Sequence, residues 1–227
     1  MSEPTDRPPK TSTSLRFALL LTAASGFLDA YTYISRGGVF ANAQTGNVIL
    51  LGVDLSEQRW HSALAHLWPI LAFIVGVAIA NWLKSERAHD RIDHPIRWAM
   101  LGQVIVLAAV GFVPSHVPNA VVTIPIAFVA AIQIGLFRTV GDLAFIAIAT
   151  TGNLMRFTES GYAVFVEKKR ESRRAMGIYA AIITAFAGGA AIGAVATEQL
   201  GVTAAWIPAA LLAATLALFY VDDRQAR

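Results

Sequence analysis

Six stretches of this chain each run about 20 residues with almost no charge, the length that carries a helix across a hydrocarbon core. They are Leu15 to Ile34, Ala63 to Leu83, Trp98 to Val117, Val117 to Phe137, Ala175 to Ala196 and Val202 to Val221. In lipid every backbone amide and carbonyl must find a partner inside the protein, so the six runs point to a bundle of membrane-crossing helices. Composition agrees, since 56% of the 227 residues are hydrophobic and 15% are charged. Six spans and short connections use nearly all of the chain and leave no room for a soluble catalytic domain. Any function is therefore expected within the bundle. The chain has no cysteine, which excludes disulfides, thiolate metal sites and cysteine nucleophiles.

The polar start, residues 1–14, is rich in Pro, Ser and Thr and reads as a disordered cytoplasmic tail. Residues 222–227 read as a second cytoplasmic tail. Arg7, Lys10 and Arg16 ahead of an apolar run also fit a signal peptide, but the run continues through Phe27 to Ile34 and belongs to a repeat, which favours retention.

Lys and Arg orient the spans, because short cytoplasmic loops carry the excess. The loop "KSERAHDRIDHPIR" holds Lys84, Arg87, Arg91 and Arg97, and "EKKRESRR" holds Lys168, Lys169, Arg170, Arg173 and Arg174. By contrast residues 114–119 and 197–202 have no Lys or Arg. The tail and the two basic loops are therefore expected inside, and the bare loops outside. Counting crossings between these anchors leaves two apolar stretches unassigned, Gly38 to Leu55 and Thr139 to Thr158. Both contain Thr-Gly-Asn, at residues 45–47 and 151–153. Each is expected to be re-entrant, the first from the outer face and the second from the cytoplasmic face.

The two halves match in further respects. Ala72, Gly76 and Ala80 mark the span after the first re-entrant stretch, and Ala185, Gly189 and Gly193 mark the span after the second. Small residues four apart let helix backbones approach closely in lipid. The next spans begin with Trp98 and Trp206, residues favoured at membrane interfaces. The expected fold is an all-α polytopic membrane protein of six transmembrane helices, a 3+3 inverted repeat with halves at 15–117 and 118–221 and one re-entrant Thr-Gly-Asn segment in each. That architecture recurs among secondary transporters.

The stretch "GFLDAYTYISRGGVFANAQTGNVILLG", residues 26–52, closely resembles the signature of the YoaK-like family, bacterial membrane proteins grouped as a domain of unknown function. Gly26, Asp29, Phe40, Thr45, Gly46 and Asn47 fall on the family pattern. In the second half, "AIQIGLFRTVGDLAFIAIATTGN" matches more loosely, with Ile134 where the family often has Asn after Gln133. The resemblance implies a bacterial integral membrane protein, and the family offers no substrate to carry over.

Gly supplies the backbone angles for a reversal inside the membrane, and Thr and Asn suit a helix start. Two short helices beginning at Thr45, Gly46, Asn47 and at Thr151, Gly152, Asn153 would aim free amides at a shared central site that favours an anion or a carbonyl-rich solute. The plainer reading is that each motif only caps a helix. Asp29, ionisable within the first span, is expected to face a cavity or a partner, with Arg36 two turns on as the candidate partner. Gln133 is a candidate interior hydrogen-bonding group, Tyr31 and Tyr33 read as interfacial anchors, and Arg138 with Asp142 reads as a local ion pair. His61 and His66, like His89 and His94, are five apart, which does not put two ligands on one helical face, so no metal and no cofactor is expected. The basic run 167–174 reads as an inside-positive loop with anionic lipid as neighbour rather than a nucleic-acid patch.

The leading functional expectation is a small-solute transporter of the bacterial inner membrane with both termini cytoplasmic. Its partners are then the lipid bilayer and an unidentified small solute, without nucleic acid, and homo-oligomerisation is left open. A channel is the close alternative, and a non-transporting membrane scaffold or regulatory protein is the alternative from another class. An enzyme is not expected, because no nucleophile–base constellation appears at membrane depth.

Overall fold

The computed structural model describes residues 14–92, 94–145, 147 and 150–225, so nearly all of the leading polar tail lies outside the described residues. The described chain is helical throughout, apart from connections and one tiny hairpin. The order is α1 (Leu15–Ser35), α2 (Gln44–Ser56), α3 (Trp60–Leu83), α4 (Glu86–His89), α5 (Pro95–Val110), α6 (Ala120–Leu136), β1 (Thr139–Val140), β2 (Leu143–Ala144), α7 (Thr150–Phe165), α8 (Ser172–Leu200) and α9 (Trp206–Gln225). Helices α8 and α9 are joined by a 3-10 turn, Gly201–Ala205.

Each of the six apolar runs contains one long helix. Three helical stretches, Leu15–Ser35, Trp60–Leu83 and Ser172–Ala217, are long and apolar enough to cross a membrane, while Ile96–Val110 and Ala120–Leu136 are apolar but shorter. The fifth and sixth helices are shorter than their apolar runs because residues 111–119, carrying Pro114 and Pro118, form a turn instead of continuing either helix. Large apolar side chains face outward on several helices, among them Trp68, Ile74, Val75, Ile105, Ile192 and Val195. In water such a surface would be an aggregation liability, and in a bilayer it is the lipid face.

Helix α1 is the inner helix. Of its apolar window 67% is buried, against 28% for α3. It begins with Ser14 capping the Phe17 amide at 3.3 Å. It ends at Arg36, where Gly37 and Gly38, both at φ +76°, turn the chain back along the helix. Side chains other than glycine rarely adopt that backbone. The main packing partners are α8 on α1, α6 on α3, α3 on α2 and α8 on α7, with α5 against α6 and α9 against α5 and α1.

The small-residue faces lie at the two closest crossings. A side-chain carbon on Gly189 or Gly193 would meet the α1 backbone at Ala23 or Phe27, and one on Gly26 would meet the α8 backbone at Phe186. On the other crossing, Gly76 faces the Phe128 carbonyl and Ala131 of α6, and Gly135 faces Ala80 of α3. Backbones that close gain dispersion contacts over their whole crossing, which is what holds helices together in lipid. Where α9 meets α5, the Trp206 indole donates to the Ala108 carbonyl at 3.2 Å and lies over Gly111.

Candidate functional site: a polar seam beside the first helix

The stretch between α1 and α2 runs extended back along α1, and its amides are satisfied by side chains. Asp29 Oδ1 accepts from the Asn42 amide at 2.7 Å and the Ala43 amide at 3.2 Å. Thr32 Oγ1 accepts from the Ala41 amide at 3.1 Å while donating to the Leu28 carbonyl. Asn42 Nδ2 donates to the Ser25 carbonyl at 2.9 Å. The chain therefore returns to the level of Asp29 before α2 starts. A strand without ladder partners is tolerated at this depth because α1 supplies the partners a sheet would have supplied.

Asn47 completes the brace. Its Oδ1 accepts from the Phe40 amide at 3.0 Å, and its Nδ2 donates to the Phe40 carbonyl at 2.7 Å and to Gln44 Oε1 at 2.9 Å. One side-chain amide thus pairs with a backbone residue as a neighbouring strand would. Gly46 lies under the Phe40 ring, with 2.6 Å from the position of a would-be side-chain carbon to Phe40 Cδ2. In this half the motif's Gly and Asn lock the returning segment onto the helix start.

A second polar group adjoins the first. His66 of α3 is buried, with Nδ1 3.5 Å from Asn47 Oδ1 and Nε2 3.5 Å from Asp54 Oδ2. Asp54 of α2 is also buried, and its Oδ1 accepts from Arg59 Nε at 2.8 Å. Arg59 also pairs with Glu57. The line Asn47, His66, Asp54, Arg59 ties α2 to α3 from the membrane interior to the surface. A cavity of about 640 Å³ opens beside it. His61, Ser62, Ala65 and His66 of α3 form one wall, and Ser115, His116 and Asn119 from the turn before α6 form the other.

Several sequence expectations are corrected here. Arg36 does not pair with Asp29: its guanidinium, fully buried, donates to the carbonyls of Val113 at 2.7 Å and Pro114 at 3.1 Å. The helix ends one residue before Arg36, so its side chain reaches across to the opposite turn instead of back along α1. Tyr31 is not an interfacial anchor but a fully buried residue whose hydroxyl donates to the Val202 carbonyl at 3.1 Å. Tyr33 is half exposed and stacks on Phe40. Asp142 is exposed in the turn of the β1–β2 hairpin, and among the described residues it makes no ion pair with Arg138.

The two Thr-Gly-Asn motifs do begin helices, α2 and α7, within a residue of the expected start. Their surroundings differ from a shared cavity. Thr45 and Thr151 are exposed, Asn47 and Asn153 are buried, and Gly46 and Gly152 are half-buried. The segment before α7 packs elsewhere, with Phe145 and Ala147 in a cluster with Ala18, Ile178, Tyr179 and Ile182. Tyr179 donates to the Ala144 carbonyl at 3.0 Å. Ala18 and Asp29 are eleven residues apart on α1, roughly 16 Å at the rise of a helix, so the two returning segments meet α1 at different levels. Neither motif lines the 640 Å³ cavity or a smaller apolar cleft formed by Ala23, Phe27, Gly189 and Ile207. Gln133 is buried on α6 as expected, and its Oε1 has no hydrogen-bond partner. Asp54 was not singled out from sequence, and His66 was weighed there only as a metal ligand, although an ionisable group inside an apolar run was the available signal for both.

Comparison with known proteins agrees with this architecture. Residues 17–218 match a family described as a protein of unknown function, DUF1275. The chain belongs to that family. It is also 26% identical over 198 residues to the UPF0700 transmembrane protein YoaK of Bacillus subtilis (strain 168), covering 85% of this chain and 88% of that protein. No solved structure matches. The family match spans α1 to most of α9 and thus the polar seam and the adjoining His66–Asp54 group, and the transmembrane relative agrees with the lipid-facing surface.

Proposed function

We propose that this DUF1275 member is a secondary transporter of small polar solutes in the bacterial inner membrane, with two inverted halves and both termini in the cytoplasm. The observation that carries the reading is the cavity between α3 and the 115–120 turn, because that turn joins the two halves and buried His66 connects the cavity to the Asp54–Asn47 line. Its volume falls in the range of small-molecule sites, roughly 300–1,000 Å³. The bare loop 114–119 is the one the charge distribution assigns to the outside, so the cavity faces outward.

Packing supports the repeat. Exchanging α1, α2, α3, α5 for α6, α7, α8, α9 turns the α1–α8 crossing into α6–α3, α2–α3 into α7–α8, and α5–α6 into α9–α1. Each is an observed contact. An odd number of crossings per half inverts the second copy, and α2 and α7 are then the re-entrant helices. Transport proceeds by movement of one half against the other around the outer cavity.

Proteoliposomes of the purified chain, screened by solid-supported-membrane electrophysiology and swelling against amino acids, organic acids and sugars, test this. One solute class should move, and Ala65→Trp, which fills the cavity from a half-buried position, should stop it. Absence of flux for every class in a folded protein would favour the scaffold reading, which the structural use of Asn47 already suits. Flux at channel rates without saturation would favour a pore.

A further inference from the structure

Three side-chain oxygens on one flank of α1 are buried without a hydrogen-bond partner: Thr22 Oγ1, Asp29 Oδ2 and Asn42 Oδ1. Thr22, Ser25 and Asp29 follow one another at helical spacing on a single face. Asn42 spans the last two of them, its amide on Asp29 and its Nδ2 on the Ser25 carbonyl. The Asp29 carboxylate receives two backbone amides on one oxygen and none on the other.

The charges around it do not neutralise it. Arg36 is committed to the carbonyls of the 113–114 turn, and His66 and Arg59 face Asp54. On α8 the ionisable residues lie at the ends, Arg173 and Arg174 at one and exposed Glu198 at the other. Among the described residues no Lys, Arg or His forms an ion pair with Asp29. A buried carboxylate left with its charge uncompensated costs several kcal/mol, so such groups are neutralised by a cation or a proton. The available donors are all oxygen, with one negative charge, which suits a hard monovalent cation and gives too little charge for a divalent one.

We propose that Asp29, with Asn42 beside it, forms a binding site for one monovalent cation, a proton or a sodium ion, that neutralises Asp29 and pins the returning segment 40–43 against α1. Release of the cation leaves a bare carboxylate in the bundle and loosens that segment, so occupancy and the position of α2 are linked. Calling the ion the coupling ion of transport rests on the preceding functional reading. The site itself does not.

The test uses the purified full chain in detergent and needs no solute. Thermal midpoints are measured in NaCl against choline chloride at constant ionic strength, across pH 5 to 9, and infrared spectra are examined for the carbonyl stretch of a protonated carboxyl. A sodium-dependent rise in midpoint, lost in Asp29→Asn and kept in Thr22→Val two turns away, identifies sodium at Asp29. A rise with falling pH, together with a carboxyl band that Asp29→Asn removes, identifies the proton. If Asp29→Asn does not fold, the shift of the buried carboxylate stretch on adding sodium to the wild-type protein carries the sodium arm, and the loss of the carboxyl band on raising pH carries the proton arm. Wild-type protein that responds to neither sodium nor pH and shows no such band overturns the proposal. A cation response without flux of any solute keeps this site and removes the transport reading, whereas flux without a cation response does the reverse.

Discussion

At the scale of single residues, the buried polar groups of this chain mostly hold backbone to backbone. Asn47 shows the pattern: removing its side chain leaves the Phe40 amide and carbonyl without their partner. An unsatisfied buried group costs about 1–3 kcal/mol. Asn47→Ala should therefore lower the thermal midpoint markedly, whereas Thr45→Ala, at an exposed position, should change it little. Differential scanning fluorimetry of both variants checks this. Arg36→Lys should also destabilise, because a lysine cannot donate to the Val113 and Pro114 carbonyls from the two ends of a planar fork. In the basic loop between α7 and α8, Lys169 pairs with Glu167 at 2.7 Å, and that hydrogen bond raises its pKa above the ordinary lysine value. A raised folded-state pKa adds stability that is complete below the unfolded value and fades only as pH climbs through the folded one. Around neutral pH the loop thus keeps its positive charge, so shifting pH from 6 to 8 should not alter its side of the membrane in protease-protection assays.

At the scale of elements, the small-residue faces of the closest helix crossings were legible in the sequence, and the segments that start α2 and α7 were legible only in part. Gly76, Ala80, Gly189 and Gly193 repeat every four residues, and a face of small residues has one use in lipid, close approach to another backbone. Which helix they meet was not legible, because spacing along one helix does not name the partner. The start of α2 was visible in Thr-Gly-Asn, but its attachment to α1 depends on hydrogen bonds between residues 9 to 17 apart in sequence, Asp29 to Asn42 and Ser25 to Asn42 among them. Tyr31 was misread for the same reason: an aromatic near a span end suits an interface, and only the fold brings Val202 to its hydroxyl. Gly189→Leu should separate α1 from α8, with the penalty of overpacking, roughly 1–3 kcal/mol. The same change at Gly188, which has open space around it, should be tolerated. Expression level and midpoint of the pair of variants give the comparison, and equal behaviour would mean that the α1–α8 crossing is looser than described.

For the whole molecule, the decisive feature is that short polar signals sit on a frame set by lipid. Apolar runs of span length, the charge asymmetry of the loops and two recurring motifs were enough to anticipate a helical membrane protein and the order of its elements. The cavity beside His66 was not legible, since it is made by two segments some fifty residues apart, each unremarkable alone. The central structural claim is that the second half is inverted relative to the first. The chain lacks cysteine, so single cysteines placed at Ser115, Gln199, Ser85 and Ser172 can be labelled with a membrane-impermeant maleimide in intact cells and again after permeabilisation. Ser115→Cys and Gln199→Cys should label in intact cells, and Ser85→Cys and Ser172→Cys only after permeabilisation. Labelling of Ser172→Cys from outside in a properly folded protein would contradict the inverted repeat.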